Sequence, residues 1–222
     1  MVPMIKNGDF VELDYTGRLV EEDIVFDTTH EKVAKDNSIH HAHAAYHPAI
    51  IHVGEHQIVK GLDASLIGKE EGSEYDIELP AEQGFGKKNA KLIQLIPTGK
   101  FTKQGISPSP GLQVNIDGQV GTVRKVGGGR TLVDFNHPLA GKDVRYHVTI
   151  RRIVQDDAEK VNAVLSSLLP IKDMKVEVQA GSATITLAQD LPQQMKDILQ
   201  EHVKSQVPSV KGVGFVHHQP GK

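Results

Sequence analysis

Four aromatic side chains and one carboxylate are the residues whose types could form a binding site. They are Tyr15, Phe26, Asp27, Phe85 and Tyr146. Taken singly, each aromatic residue is typical of a protein core, because large apolar rings are usually buried. Taken singly, Asp27 is typical of a turn residue beside Thr28. Two interpretations stand at this point: ordinary core aromatics, or the walls of an apolar pocket with one polar edge.

Histidine is the second residue type that could do chemistry. Seven of the twelve histidines lie between His30 and His56, and they include His40, His41, His43 and His47. Imidazole is a common ligand for zinc, nickel and copper, so this cluster predicts metal binding as one alternative. No fixed ligand spacing or carboxylate cluster accompanies the histidines, which favours an adventitious site over a physiological one. We therefore expect no cofactor and no dedicated metal ligand.

Composition excludes several classes of protein. The chain has 222 residues, of which 38% are hydrophobic and 24% charged, and it has no cysteine. Disulfides, thiolate catalysis and cysteine-ligated metal sites are therefore excluded. No apolar run approaches the roughly 18 residues that span a bilayer, and the first residues lack a secretory apolar core, so we expect a cytoplasmic protein without a membrane partner. The net charge is -3 with acids and bases mixed along the chain, which predicts no nucleic-acid partner.

The elements that would position these side chains are mostly short strands. Alternating or β-branched segments predict strands at 9–17, 24–29, 50–54 and 75–80, and good helix formers predict one short helix at 61–68. The segment from Val33 to His47 reads as an extended loop or short helix near the pocket rim. Between about Lys87 and Gly141 the chain changes to short strands broken by Gly and Pro, with Asp117-Gly118 as a hairpin signal. Alternation predicts a long strand at 143–150, and if this strand returns to the first sheet, the intervening module is an insertion.

The last residues have the pattern of a separate α+β unit. Helical spacing of apolar residues predicts a helix from Val161 to Leu169, and alternation predicts two strands after it. Asp190 with Gln193 predicts a capped second helix, and a strand follows at 210–216. A unit of about 65 residues has a marginal core alone, which favours pairing with a second copy.

Several stretches, taken in order, are similar to FKBP-type peptidyl-prolyl cis/trans isomerases. They are LDYTG at 13–17, VFDTT at 25–29, VGEHQIVKGLDASLIG at 53–68 and PAEQGFG at 80–86. DFNHPLAGKDVRYHV at 134–148 resembles the junction at which the inserted-in-flap module of SlyD-like members rejoins the parent domain. With its C-terminal residues included, the whole chain resembles the long three-domain FKBPs of archaea.

The resemblance implies an α+β fold with three domains. Residues 1–88 and 139–154 would form a discontinuous FKBP catalytic domain, an antiparallel β half-barrel wrapped on one short helix. Residues 89–138 would form the inserted all-β chaperone domain, and 157–222 a C-terminal α+β domain that dimerises the chain.

The resemblance also assigns the proline site. Carried over by position, its residues are Tyr15, Phe26, Asp27, Ile58, Val59, Leu62, Phe85 and Tyr146. Two of them depart from the family pattern: Leu62 stands where many members have tryptophan at the pocket floor, and Phe85 where many have tyrosine. Phe85 has no hydroxyl, so one hydrogen bond to a substrate carbonyl is absent.

The implied function is that of a peptidyl-prolyl cis/trans isomerase and folding chaperone. Its partners would be unfolded or partly folded polypeptides that contain proline, with a macrolide as a candidate inhibitor. The inserted module would capture unfolded chains by strand addition. Its candidate apolar contacts are Phe101, Ile106, Leu112, Val114 and Val123. The alternative is a non-catalytic polypeptide-binding chaperone or a metal-binding FKBP-like protein.

Overall fold

The computed structural model describes residues 2–42, 44–169 and 174–217. The chain divides into two compact units, Met1–Glu78 with Arg145–Lys222, and Leu79–Val144. No helix among the described residues is both long enough and apolar enough to cross a membrane.

The first unit contains a five-stranded sheet and two short helices. These elements are β1 (Phe10–Leu19), β2 (Val25–Thr28), α1 (Glu31–Asp36), β3 (Ala49–His52), α2 (Lys60–Leu66), β4 (Glu74–Leu79) and, after the second unit, β9 (Val144–Ile153). The strand order is β2-β1-β9-β4, and β3 also pairs with β1. β1 pairs antiparallel with both β2 and β3, with an irregularity between Gly17 and Arg18.

Alternation of apolar and polar residues explains how this sheet folds. In β9 the side chains of Val144, Tyr146, Val148 and Ile150 are buried while their neighbours are exposed or partly exposed. A period of two is what a strand with one buried face requires. Leu62 and Leu66, four residues apart on α2, are 1% and 0% exposed. The predicted half-barrel wrapped on one short helix is confirmed. The segment from Val33 to His47, predicted as an extended loop or short helix, contains the end of α1 and part of the loop that leads to β3.

The same unit ends with a smaller α+β region. Its elements are α4 (Asp157–Leu168), β10 (Lys175–Gln179), β11 (Ser182–Leu187), α5 (Gln193–Gln206) and β12 (Gly212–His217). β10 pairs antiparallel with β11, and β12 pairs parallel with β11, so α5 is the crossover between parallel strands. The predicted cap is wrong: α5 begins after Pro192, and the Asp190 carboxylate accepts from Lys196 Nζ at 2.7 Å.

This region does not bury its core alone. Its apolar cluster includes Phe10 of β1 and Val154, the residue after β9. Arg152 joins the two regions as well, because its guanidinium pairs with Glu12 of β1 and Glu159 of α4. A domain too small for an independent core gains apolar burial from such docking.

The second unit is a four-stranded antiparallel sheet. Its strands are β5 (Ile93–Pro97), β6 (Gln113–Ile116), β7 (Gln119–Gly127) and β8 (Arg130–Asp134), with the short helix α3 (Thr98–Thr102) after β5. The order β5-β8-β7-β6 leaves β5 and β6 at the edges. Asp117 and Gly118 both have positive φ, 51° and 83°, as the predicted hairpin turn requires.

Three of the apolar residues considered for client binding belong to the core of this unit. Phe101, Val114 and Val123 are 2%, 4% and 0% exposed. The strongly exposed apolar side chains are instead Leu95 at 60% and Val120 at 61%.

A buried carboxylate ties β1 to the segment after β2. Asp14 is 3% exposed and accepts hydrogen bonds from Thr29 Oγ1 at 2.8 Å and from Arg151 Nε. Thr29 Oγ1 also accepts from the backbone N–H of Tyr15 at 3.1 Å. Burial raises the pKa of Asp14, but the hydrogen bonds from Thr29 and Arg151 and the charge of Arg151 outweigh burial and lower that pKa below its ordinary value of 3.8.

This network predicts a pH-dependent contribution to stability. Because the folded-state pKa of Asp14 is lowered, its contribution is complete above the unfolded-state pKa of about 3.9 and is lost as the pH falls through the folded-state pKa. Asp14→Asn should reduce the free energy of unfolding by about 1–3 kcal/mol at neutral pH. In urea titrations the difference from the unmodified chain should shrink below about pH 4. A difference that stays constant down to pH 3 would contradict this role.

Candidate functional site

Three aromatic rings from three strands meet in the first unit. The ring of Tyr146 lies edge-on to Tyr15, with centroids 6.0 Å apart, and perpendicular to Phe26, with centroids 5.7 Å apart. Edge-to-face pairs at such distances are favourable because the positive edge of one ring faces the negative face of another. Tyr146 is 3% exposed, so it supports the two more accessible rings from below.

The polar edge of this cluster is the pair Tyr15 and Asp27. The Tyr15 hydroxyl donates to Asp27 Oδ2 at 2.9 Å, and the Asp27 side chain is exposed. Burial first, and then the negative charge of Asp27, raise the pKa of Tyr15 and of Tyr146 well above the ordinary value of 10. Both phenols therefore stay protonated at neutral pH, so they can donate hydrogen bonds and cannot act as bases.

A cleft of about 570 Å³ opens at these residues. Tyr15, Phe26 and Asp27 line one side of it. The other side is the loop between α1 and β3, which contributes Ile39, His41, Ala44, Ala45, Tyr46 and His47. Within the loop, the Tyr46 hydroxyl accepts from the backbone N–H of His41 at 3.0 Å, and the Tyr46 ring stacks on His40. The loop predicted to lie near the pocket rim does line the cleft.

The other predicted site residues of this unit occupy α2 and the turn before it. Ile58 and Val59 are half-buried, Val59 is the N-cap of α2, and Leu62 is 1% exposed. The described lining of the cleft contains none of the three, nor Tyr146. Leu62 is therefore a core residue here rather than an accessible floor.

Asp63 fixes the turn that leads to Ile58 and Val59. It is 1% exposed, and its carboxylate accepts from the backbone N–H of Gly54 at 3.0 Å and of His56 at 3.2 Å. Sequence reasoning missed this residue. An acidic residue in the first turn of a helix predicts bonds to the N–H groups of that helix, whereas the Asp63 carboxylate binds those of the preceding turn, so no local signal indicated its role.

Gly17 is a second residue that sequence reasoning missed. A Cβ at this position would lie 2.7 Å from Phe26 Cζ and 2.9 Å from Tyr146 Cε1. Glycine is thus what allows both rings to lie against β1. The signal was a glycine inside a strand pattern, which often marks such a close approach.

Phe85 lies in the second unit. Its ring stacks face to face on His137, with centroids 4.6 Å apart and an interplanar angle of 1°.

The histidine-rich segment does not assemble a metal site within the described part of the chain. No group of three or more His, Cys, Asp or Glu side chains there is arranged to hold a metal ion. His43, one of the candidate ligands, lies outside the described residues.

The geometry of the cleft suits binding rather than bond-breaking chemistry. It combines apolar rings, protonated phenols and a carboxylate that is already hydrogen-bonded to Tyr15. Such a set can remove water from a ligand and orient its polar groups.

Comparison with known proteins identifies both parts of this architecture. Residues 3–101 match the family described as FKBP-type peptidyl-prolyl cis-trans isomerase, and residues 94–139 match the family described as FKBP26, IF domain. The chain is 33% identical over 159 residues to the short-type peptidyl-prolyl cis-trans isomerase of Methanocaldococcus jannaschii, an alignment that covers 72% of this chain and all of that protein.

Two bacterial relatives support the same assignment. The FKBP-type 16 kDa isomerase of Escherichia coli is 32% identical over 111 residues, covering 48% of this chain and 74% of the relative. The FKBP-type isomerase SlyD of Haemophilus influenzae is 26% identical over 136 residues, covering 59% and 70%. The chain therefore belongs to the FKBP-type peptidyl-prolyl cis-trans isomerases, enzymes that interconvert the two planar forms of the bond before proline.

Proposed function

We propose that the aromatic cluster and its cleft are the place where the chain isomerises X-Pro bonds of unfolded polypeptides. The observation that carries this proposal is the packing of Phe26 and Tyr15 on Tyr146, with Asp27 hydrogen-bonded to Tyr15 beside the open cleft. An apolar surface with one polar edge can hold a proline ring and orient the peptide before it. The rate at which a Phe26→Ala variant isomerises a proline tetrapeptide tests the assignment.

Such a surface is sufficient for this reaction. The X-Pro amide rotates slowly because resonance must be lost, at a barrier of roughly 18–20 kcal/mol, whereas cis and trans differ by only about 0.5–1 kcal/mol. No bond breaks and no proton moves, so the site needs only to bind the twisted amide better than either planar form. The twisted amide is less polar, and a water-excluding pocket therefore favours it.

The remaining residues of the proposed site have supporting roles. The half-buried Ile58 and Val59 would extend the apolar surface, and the Ile58 backbone N–H would bind a substrate carbonyl. Leu62 would support α2 from within the core. Phe85 stays a site residue proposed from the sequence, and its ring has no hydroxyl to donate to a substrate carbonyl. A macrolide inhibitor would occupy the same surface and compete with a proline peptide.

We further propose that residues 89–138 are a client-binding domain inserted into a catalytic domain of residues 1–88 and 139–154. The edge strands β5 and β6 offer unpaired backbone groups to an extended client. Exposed Leu95 on β5, with Leu112 and Val120 near β6, supplies apolar contacts.

Excision of this domain should separate two activities. Asn89 and Asn136 hydrogen-bond each other at 2.7 and 3.1 Å, so a short glycine linker can replace residues 90–136. The shortened chain should keep its rate on a proline tetrapeptide and lose most catalysis of proline-limited refolding. Leu95→Glu, which keeps the domain in place, should also keep the rate on the tetrapeptide but lose a smaller part of the catalysis of refolding. Equal losses on both substrates would contradict the division.

We propose that the C-terminal region, residues 157–222, dimerises the chain. Docking on Phe10 and Val154 removes part of the need for a second copy, but α5 still exposes Met195 at 39% and Ile198 at 68%, three residues apart on one helix face. Sedimentation velocity should find a dimer at micromolar concentration and a monomer for Ile198→Glu. A monomeric unmodified chain would contradict the proposal. Deleting the region is a poorer test because it would expose Phe10 and Val154.

We also propose a cytoplasmic location, as the sequence predicts, and cell fractionation tests it.

A further inference from the structure

The net charge of -3 conceals a strong asymmetry between the two units. Residues 79–144 contain nine Lys and Arg against four Asp and Glu, a net charge of +5, so the remaining residues carry -8. Within 89–138 there are only two acidic residues, Asp117 and Asp134. Asp134 is 3% exposed and pairs with Arg124 at 2.9 Å, so Asp117 alone presents an exposed carboxylate. The surface of the inserted domain is therefore predominantly cationic.

Two of these cations flank an apolar groove on one face of the domain. The groove has a volume of about 500 Å³ and is lined by Leu95, Lys125, Gly127, Gly128, Arg130 and Leu132. Leu95 of β5 is paired with Leu132 of β8, which is paired in turn with Lys125 of β7. These three side chains therefore form one row across the sheet. Arg130 lies two residues from Leu132 and so points to the same face.

Neither cation is neutralised by a neighbour. Lys125 and Arg130 are exposed and take part in no ion pair among the described residues, in contrast to Arg124. The turn between β7 and β8 has no side chains at Gly127, Gly128 and Gly129, which leaves the end of the groove open.

We infer that this groove selects extended client segments in which apolar and acidic residues alternate. The inference rests on the proposed client-binding function of the inserted domain and specifies its substrate class. When an apolar side chain of an extended client packs on Leu95 and Leu132, the client residues two positions before and after it lie about 6.6 Å away along the client. Lys125 lies one strand from Leu132, about 4.8 Å away, and Arg130 lies two residues along the same strand as Leu132, about 6.6 Å away, so both cations are within reach of those client residues. Acidic side chains at those positions meet a cation, and basic ones are repelled.

The composition of the groove favours a polypeptide over a nucleic acid. Its described lining contains no aromatic ring on which a base could stack, and Phe101, the aromatic residue of α3, is buried. The two leucines that line the groove match apolar side chains instead.

The test is a binding comparison with three short proline-free peptides of equal length, in which Leu alternates with Glu, Gln or Lys. Because they lack proline, the isomerase site does not contribute. Fluorescence anisotropy with the full chain should rank Glu above Gln above Lys, with about a fivefold preference for Glu over Gln at low salt, the size expected of two exposed ion pairs. The preference should diminish at high salt.

Charge reversal locates the preference. Lys125→Glu with Arg130→Glu should reverse the ranking, whereas Lys100→Glu with Lys103→Glu, an equal charge change beside another groove of the domain, should preserve it. Circular dichroism and unchanged activity on a proline tetrapeptide show that both variants fold.

Four outcomes would overturn the inference. Equal affinity for all three peptides would mean that the domain binds clients without reading charge, and the proposed function would survive. Equal reversal by both double variants would assign the preference to the overall field rather than the groove. A single-stranded RNA that binds more tightly than the Leu-Glu peptide, and loses that binding in Lys125→Glu with Arg130→Glu, would assign the groove to nucleic acid. Binding of no peptide would contradict the client-binding function itself.

Discussion

Phe26→Ala should lower kcat/KM on a proline tetrapeptide about 30-fold, because loss of one phenyl contact of roughly 2 kcal/mol with the twisted amide changes the rate by that factor. Phe26 is partly exposed, lines the cleft and packs perpendicular to Tyr146. The rate should be measured in a protease-free assay. Unfolding by urea should be followed in parallel, so that loss of folded protein is not read as loss of catalysis.

A matched control is available in the same unit. Phe215 on β12 is also half-buried, but it packs against the C-terminal core. Phe215→Ala should therefore lower stability and leave kcat/KM unchanged. If Phe26→Ala isomerises the peptide at the rate of the unmodified chain, the cleft is not the proline site.

Gly17→Ala should displace the aromatic rings of the same site. The new methyl group would lie 2.7 Å from Phe26 Cζ and 2.9 Å from Tyr146 Cε1, so both rings must move. Overpacking of this kind costs about 1–3 kcal/mol of stability, and displaced rings should lower kcat/KM about tenfold. Since Gly17 does not have a positive φ, the effect is steric and does not come from backbone strain.

Two further variants separate this effect from general damage. Gly127→Ala, at a position where an added Cβ meets nothing within 4 Å, should be neutral. Phe26→Leu should partly relieve Gly17→Ala, so the stability costs of the two changes should not add. Strict additivity would show that Gly17 and Phe26 do not share packing space.

Local patterns in the sequence predict much of this fold because they obey local rules. Asp117-Gly118 predicts a hairpin turn since both residues tolerate positive φ, and the structure has it there. The alternation of Val144, Tyr146, Val148 and Ile150 predicts which side chains of β9 are buried. The predicted cap at Asp190 is wrong because the helix begins after Pro192, and the Asp190 carboxylate pairs with the Lys196 side chain instead of capping the helix.

Features that depend on distant residues were not predictable in this way. Whether Val114 and Val123 face the core or a client depends on which face of the inserted sheet is covered. A period of two shows that alternate side chains share a face of the sheet, but it does not show which face is buried. Gly17 matters because two rings from other strands approach it. The cationic groove arises from the register of three strands, which brings together residues 95, 125 and 132.

Proton-NMR exchange spectroscopy on a proline tetrapeptide tests the central claim most directly. The claim is that an apolar cleft lined by Phe26, whose ring packs on the buried Tyr146, is enough to catalyse rotation of the X-Pro bond. With a catalytic amount of the full chain, we expect cis/trans exchange cross-peaks that grow with enzyme concentration and are nearly abolished in Phe26→Ala. Line broadening without enhanced exchange would mean that the cleft binds proline peptides but does not catalyse their isomerisation, and would contradict the claim.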